Sequence, residues 1–397
     1  MAEIVSNEQR RSGLKLRSSD LFWIAGAIAL LVGAVGMLDR LRLGLAPTAI
    51  GSYVPWGLWV GFYDYLVWLE VGSLLLFSGL VYLADDHTLA KLKPLVLFTG
   101  FVVLLMALML VAMDLGHFER FWHVYVYADF GSMITWMVWL HTAYLILLSA
   151  ELFLAVRRTA QKLLKALGIL SLPLGLMLIL VSGSIFGVVA ARPLWNTSNL
   201  PIMFFISALA AGASLLLLLV TLFWADKQSE EFERLTQRLA RIAGWMTLGG
   251  AFIAGVIAFT ILYQGGGNPQ RAAALQLILS GPFWWSFWIV HVLLGVIVPT
   301  IIYFAFYKSR LLLSIGAALS TITFVAVTLN IVIPVLATPE LEGLAEAYHH
   351  QKLSLNYVPN LNEWLVVIFI FGFGGLIYGL GLRFLPILPK RAQEKED

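Results

Sequence analysis

The chain has 397 residues, of which 60% are hydrophobic and 12% charged, against roughly 45–50% and 25% in soluble domains. Together with a mean hydropathy of +0.86, this excludes a soluble enzyme or a nucleic-acid-binding domain and predicts an integral membrane protein. Cysteine is absent, so no thiolate is available for an iron–sulfur cluster, a disulfide or a Cys-zinc site.

A spanning helix needs ~20 largely apolar residues. Ten such stretches follow in order: 20–39, 56–83, 94–113, 132–155, 167–190, 200–224, 243–263, 282–307, 311–337 and 363–385. The first follows a polar tail with Arg10, Arg11, Lys15 and Arg17. Its apolar run is long for a signal-peptide core and no small-residue cleavage site follows, so it reads as a retained anchor.

The net charge of +3 says less than where the basic residues sit. With the N-terminus inside, the inner segments hold 20 of the 26 Lys and Arg, and the outer segments hold Arg40, Arg42, Arg120, Arg192, Arg271 and Lys352. That bias predicts ten spans across the cytoplasmic membrane with both termini on its inner side. The connection 114–131 then faces outward, as does 338–362 with Glu340, Glu342, Glu346, His349 and His350. A His-His pair in a loop can bind metal; a solvated loop is the reading preferred here, with no metal site.

SMITWMVWLH in the fourth span and GPFWWSFWIVH in the eighth share a tryptophan-rich approach to one histidine, four spans apart and in the same direction. This fits an all-α membrane domain over 1–397 built of two tandem four-helix bundles, helices 2–5 (56–190) and 6–9 (200–337), with helices 1 and 10 peripheral. The tryptophans are also what an interfacial belt would show.

Ionisable side chains inside a span cost ~2.5–3.5 kcal/mol each on insertion scales, so they mark sites. Here they are Asp64 and Glu70 in the second span, His141 and Glu151 in the fourth, and His291 in the eighth. At ~1.5 Å per residue, Asp64 lies roughly 12 Å and His141 roughly 13 Å from the outer end. A carboxylate and an imidazole at one depth could bind the two oxygens of a quinone head group and take its protons. They could equally form a hydrogen bond that ties two helices. Glu70 is one heptad after Tyr63 and shares its helix face, whereas Asp64 points elsewhere. Glu70 and Glu151 could pass protons inward, or bond a neighbouring helix and pair with Arg157 and Arg158. The single pair His141 and His291 falls in separate bundles, which argues against a haem.

Four segments in collinear order resemble the NrfD/polysulfide-reductase integral membrane subunit family. DLGHFERFWHVYVYADFGSMITW (114–136) is similar to its third-to-fourth-helix connection, with His117 at the usual basic position and the usual Pro after Ser132 missing. PWGLWVGFYDYLVWLEVGS (55–73) resembles its helix 2 opening, and ARPLWNTSNLPIMFFISALAAG (191–212) its RPLWN connection. YVPNLNEW with LRFLPILP (357–389) resembles the end of the long, ten-helix members, such as the membrane subunits of hydrogenase-2, alternative complex III and the Qrc and Dsr complexes.

The resemblance implies a quinone-reactive subunit without its own haem or iron–sulfur cofactor. Its substrate would be menaquinone or another quinone, and its partner a four-cluster ferredoxin-like iron–sulfur subunit on the outer face, with further cytochrome or membrane subunits. By alignment the family's quinone contacts fall on Asp64, with Gly61 one turn earlier, and near Val181–Ser182. Asp114, Arg120 and His123 would shape the pocket mouth and the docking surface. A transporter or proton channel using Glu70 and Glu151, or a pure membrane anchor, are the alternatives.

Overall fold

The computed structural model describes residues 18–263, 269–341, 343–347, 350 and 352–389. The described residues are helical, with no strand among them, and ten helices are long and apolar enough to cross a membrane: α1 (Asp20–Leu43), α2 (Leu58–Leu83), α3 (Leu89–Asp114), α4 (Met133–Arg157), α5 (Gln161–Gly187), α6 (Asn199–Phe223), α7 (Glu230–Tyr263), α8 (Ser286–Ala305), α9 (Arg310–Leu336) and α10 (Leu361–Phe384). This satisfies every backbone group within its own segment, as hydrocarbon demands.

Four helices, α3, α5, α7 and α10, start two or more residues before the apolar pattern. α7 begins at Glu230, well ahead of the expected 243, because EEFERLTQRLARI is a charged amphipathic stretch that continues the same helix. Lys91 and Asp86, in and just before α3, hold this extension through Glu231 (2.5 Å) and Arg238. α10 begins at Leu361, where Asn360 and Glu363 form a reciprocal capping box. One short helix, Pro269–Leu279, has too few apolar residues to register as a span.

α1 and α10 pack along each other through glycines. A side chain at Gly26, Gly33 or Gly372 would strike the partner's backbone, so the two helices approach as closely as small residues allow. α2 is the most enclosed helix, sheathed by α3, α5, α6 and α9. α4 and α5 complete one group with α2 and α3, while α7 and α8 pack outside α6 and α9. The N-terminal half of α7 is buried along one face, from Phe232 to Thr247, whereas almost none of its apolar half is buried by its own chain.

Four cations near one end of the bundle, on the side carrying the 115–131 connection, are sunk into backbone carbonyls. Arg40 donates to Met113 O (2.7 Å) and Leu115 O (2.5 Å), closing the end of α3. Arg192 donates to Thr338 O (2.6 Å) and Val335 O (3.3 Å) after α9 and pairs with Glu340 (2.9 Å). Arg271 donates to Pro193 O (2.6 Å), and Lys352 Nζ to Thr48 O (2.5 Å) and Ile50 O (3.1 Å). These carbonyls are groups left unsatisfied at helix ends and in turns: Arg40 and Arg192 act as C-terminal caps of α3 and α9, and Arg271 and Lys352 hold the connections after α5 and α1.

At the same end Glu363, fully buried, accepts hydrogen bonds from the Tyr357 hydroxyl (2.6 Å), Ala49 N–H (3.0 Å) and Asn360 N–H (3.0 Å). Burial and the adjacent Glu363 push the Tyr357 hydroxyl well above the usual tyrosine range, so it stays protonated and donates. It also accepts from Leu58 N–H (2.8 Å), one of the free donors at the start of α2. The start of α2, and with it the depth of its ionisable residues, is thereby pinned to α10.

Candidate functional site

His141 is buried between α4 and α2 at 3% exposure. Its Nδ1 donates to Met137 O (2.9 Å) one turn back, since a carbonyl can only accept. In the neutral ring this fixes the tautomer and leaves the Nε2 lone pair as acceptor. Nε2 faces the Tyr63 hydroxyl of α2 at 3.4 Å, and that hydroxyl also reaches Met137 Sδ at 3.0 Å. The Ser182 hydroxyl of α5 lies beside Tyr63 without reaching hydrogen-bond geometry to any group. Three helices thus bring a phenol, an imidazole and an alcohol together at one depth.

Asp64 lies at that depth but on another face. It is three residues after Gly61, whose Cα surface is covered by Leu329 of α9, and four before Trp68. The Trp68 ring meets Phe204 of α6 (5.0 Å) and Phe324 of α9 (6.4 Å). That spacing turns Asp64 toward α6 and α9, away from α4. It is 2% exposed, with Oδ2 unpartnered. The imidazole's partner is therefore Tyr63 rather than the carboxylate beside it in sequence, because adjacent helical residues point about 100° apart.

A file of polar groups continues from Tyr63 toward the opposite end of the bundle. Glu70 is fully buried, and neither of its carboxylate oxygens has a partner. The Tyr144 hydroxyl of α4, also unpartnered, lies within electrostatic reach of both Glu70 and Glu151. Glu151 in turn is within reach of Lys93 and Tyr82, and Lys93 Nζ sits 4.9 Å over the Tyr82 ring. Buried polar groups are nearly always hydrogen-bonded, so this run of exceptions is concentrated, not random. Tyr144 was legible in principle: with Met137, His141, Leu148 and Glu151 it falls on one helical face at spacings of three and four.

The connection 115–131 stands apart from this interior. Asp114 closes α3, half-buried, with Oδ1 unpartnered and Arg40 nearby. Arg120 and His123 are exposed. Glu119 sits between His117 (2.9 Å) and Arg120 (3.9 Å); its own backbone N–H and then His117 hold its carboxyl below the usual range, so it stays charged. Around them Phe121, Trp122, Tyr127 and Phe130 are exposed. The second connection places His350 Nδ1 as acceptor from Lys352 N–H (3.1 Å), while His349 and Glu342 lie outside the described residues.

Residues 48–340 match the family model described as polysulphide reductase, NrfD, a stretch that contains α2 to α9 with every group above from Tyr63 to Ser182. The chain belongs to the NrfD polysulphide reductase family. As a member it is a multi-pass protein of the cytoplasmic membrane. Similar proteins include a selenate reductase subunit of Mesobacillus selenatarsenatis, 29% identical over 94% of this chain and 95% of that one. The Hdr-like menaquinol oxidoreductase integral membrane subunit of Archaeoglobus fulgidus is 25% identical over 90% and 91%. The menaquinone reductase integral membrane subunit of Nitratidesulfovibrio vulgaris is 25% identical over 88% and 87%.

Proposed function

We propose that this NrfD protein is the quinone-reactive membrane subunit of a multi-subunit respiratory oxidoreductase, exchanging electrons between the membrane quinone pool and an iron–sulfur partner seated on the 115–131 face. The observation that carries the reading is the Tyr63–His141 pair, with its tautomer set by Met137 O. A quinol hydroxyl needs an acceptor as its electrons leave, and His141 Nε2 is a lone pair aimed at a hydroxyl already. Tyr63 and Ser182 supply hydroxyl donors for the other ring oxygen or for the oxidised form. Two relatives whose names carry menaquinol or menaquinone support the substrate class.

Protons released there have buried acids on either side. Asp64, beside Tyr63, and Glu70, one heptad on, are the first acceptors; Tyr144 and Glu151 extend the file to Lys93 at the basic end of the bundle. Such a file suits proton movement linked to turnover. The chain has no cysteine, so the electrons leave to a partner's clusters, and the exposed aromatic and charged groups of 115–131, including Arg120 and His123, form the surface that meets it.

The test is quinol-dependent electron transfer in the assembled complex carrying Tyr63→Phe, His141→Gln or Asp64→Asn. Loss of turnover in Tyr63→Phe and His141→Gln, with normal assembly of the complex, is the expected result. Unchanged rates in both would leave a membrane anchor as the reading.

A further inference from the structure

A cavity of about 340 Å³ lies between α6, α7, α8 and α9. Its wall is almost wholly apolar. The exceptions that matter are His291 of α8 and Asn330 of α9. Asn330 is 7% exposed and its amide Nδ2 has no hydrogen-bond partner. The imidazole of His291 meets the Phe287 ring edge-on at 5.6 Å, and the residue lines the cavity. Around it the backbone is wound as a π-helix from Ser286 to Ile297, ahead of Pro299. Such widened turns recur where a side chain must be re-aimed at a ligand.

The cavity is not fully enclosed. α7 and α8 touch through their halves nearest the basic end, where Phe304 covers Gly244 and meets the Trp245 ring at 5.3 Å. Further along α7, Gly255 lines the cavity with no atom within 4 Å of where a Cβ would stand. The outer flank of the two helices there is apolar, with Phe252, Phe259 and Ile289 exposed, so a ligand passing between them would come from the hydrocarbon.

We propose that this cavity is a second binding site, separate from Tyr63 and His141, for a membrane-dissolved quinone whose ring oxygens are met by the Asn330 amide and the His291 imidazole. Depth decides between quinone and phospholipid. Asn330 is six residues from the end of the 27-residue α9, roughly 9 Å into a helix of ~40 Å at ~1.5 Å per residue, which sets it about 4 Å inside a centred hydrocarbon core of ~30 Å. A phospholipid ester stays at the interface with its head group, whereas a quinone ring travels through the core. The volume falls in the range of ligand pockets, about 300–1,000 Å³, and suits a fused ring with the start of its tail. The proposal stands whether or not Tyr63 and His141 bind quinone.

The test is photolabelling of the intact complex in native membranes with an azido-quinone, followed by peptide mapping. Label is expected within 287–296 or 327–331, competed by unlabelled quinone and not by added phospholipid. It should fall at least fivefold in Asn330→Leu and in Gly255→Leu, whose Cβ meets no atom within 4 Å, while label near α2 and α4 is retained. Conversely, Tyr63→Phe should leave the second label in place. Absence of label in 287–296 and 327–331, competition by phospholipid, or label indifferent to both variants would overturn the second site. Thermal stability of Gly255→Leu and Asn330→Leu guards against misfolding as the cause; if both unfold, label retained or lost in His291→Gln decides.

Discussion

Gly72 of α2 and Gly212 of α6 meet backbone to backbone. A side chain at Gly72 would strike Ala208 O, and one at Gly212 would strike the Gly72–Ser73 peptide. This crossing fixes α2, which carries Tyr63, Asp64 and Glu70, against the half of the molecule that carries Asn330. Overpacking usually costs 1–3 kcal/mol, and here the obstructing atoms are main chain and have nowhere to go. Gly72→Leu should therefore cost about 3 kcal/mol or more and be seen as lost assembly or a large drop in thermal stability in detergent. Gly79→Leu, where nothing lies near the added group, is the control; equal stability of the two would contradict the crossing.

Binding and proton movement should separate by mutation. General acid–base groups contribute roughly 10²–10⁴-fold, so His141→Gln is expected to lower kcat by about a hundredfold. Glu151→Gln lies far along the file from Tyr63 and should slow turnover with the KM for quinol unchanged. A KM shift in Glu151→Gln, read by steady-state kinetics, would place it in the binding site instead.

Arg192 holds the end of α9 with a forked set of donors. Hydrogen bonds to a charged group contribute about 1.5–3 kcal/mol, so Arg192→Ala should destabilise by at least that much. Arg192→Lys keeps the charge but cannot span Thr338 O, Val335 O and Glu340 together. It should recover under half of the loss in a thermal unfolding experiment; full recovery would mean the charge alone matters.

Glu363 offers a third stability test. Its two oxygens accept from Tyr357, Ala49 and Asn360, so Glu363→Ala leaves one buried donor unpaired at about 1–3 kcal/mol and two half-buried ones at less. Tyr357→Phe removes one of those bonds and strands Leu58 N–H, and should cost less. The order of the two midpoints is the measurement, and a reversed order would show that Tyr357 does more than reach Glu363.

Hydropathy alone placed the ten helices, because a lipid-spanning segment must be apolar along its length. It failed where a helix leaves the apolar layer: the 230–242 extension of α7 is amphipathic, and Pro269–Leu279 is too short to span. Depth along a helix was also legible, and it put Asp64 level with His141. Azimuth was not, since residues 63 and 64 share a depth and differ by about 100° around the axis. The heptad from Tyr63 to Glu70 held that information, and it is the face whose side chains reach α4. The π winding around His291 and the lone amide of Asn330 depend on which helices stand apart, which no local pattern records.

The carbonyl-bound cations change what a docking protein meets. Arg40, Arg192, Arg271 and Lys352 are spoken for by helix ends and turns, and Arg42 and Arg120 are the exposed cations left on that side among the described residues. Glu119, Asp129 and Glu346 remain exposed there. Carbonyls are neutral, so the bound cations still contribute to the potential a Debye length away, about 8 Å at physiological salt, but their N–H donors are already committed to backbone. Short-range pairing with an approaching protein is left to the exposed charges Arg42, Glu119, Arg120, Asp129 and Glu346, and its association rate should depend on salt.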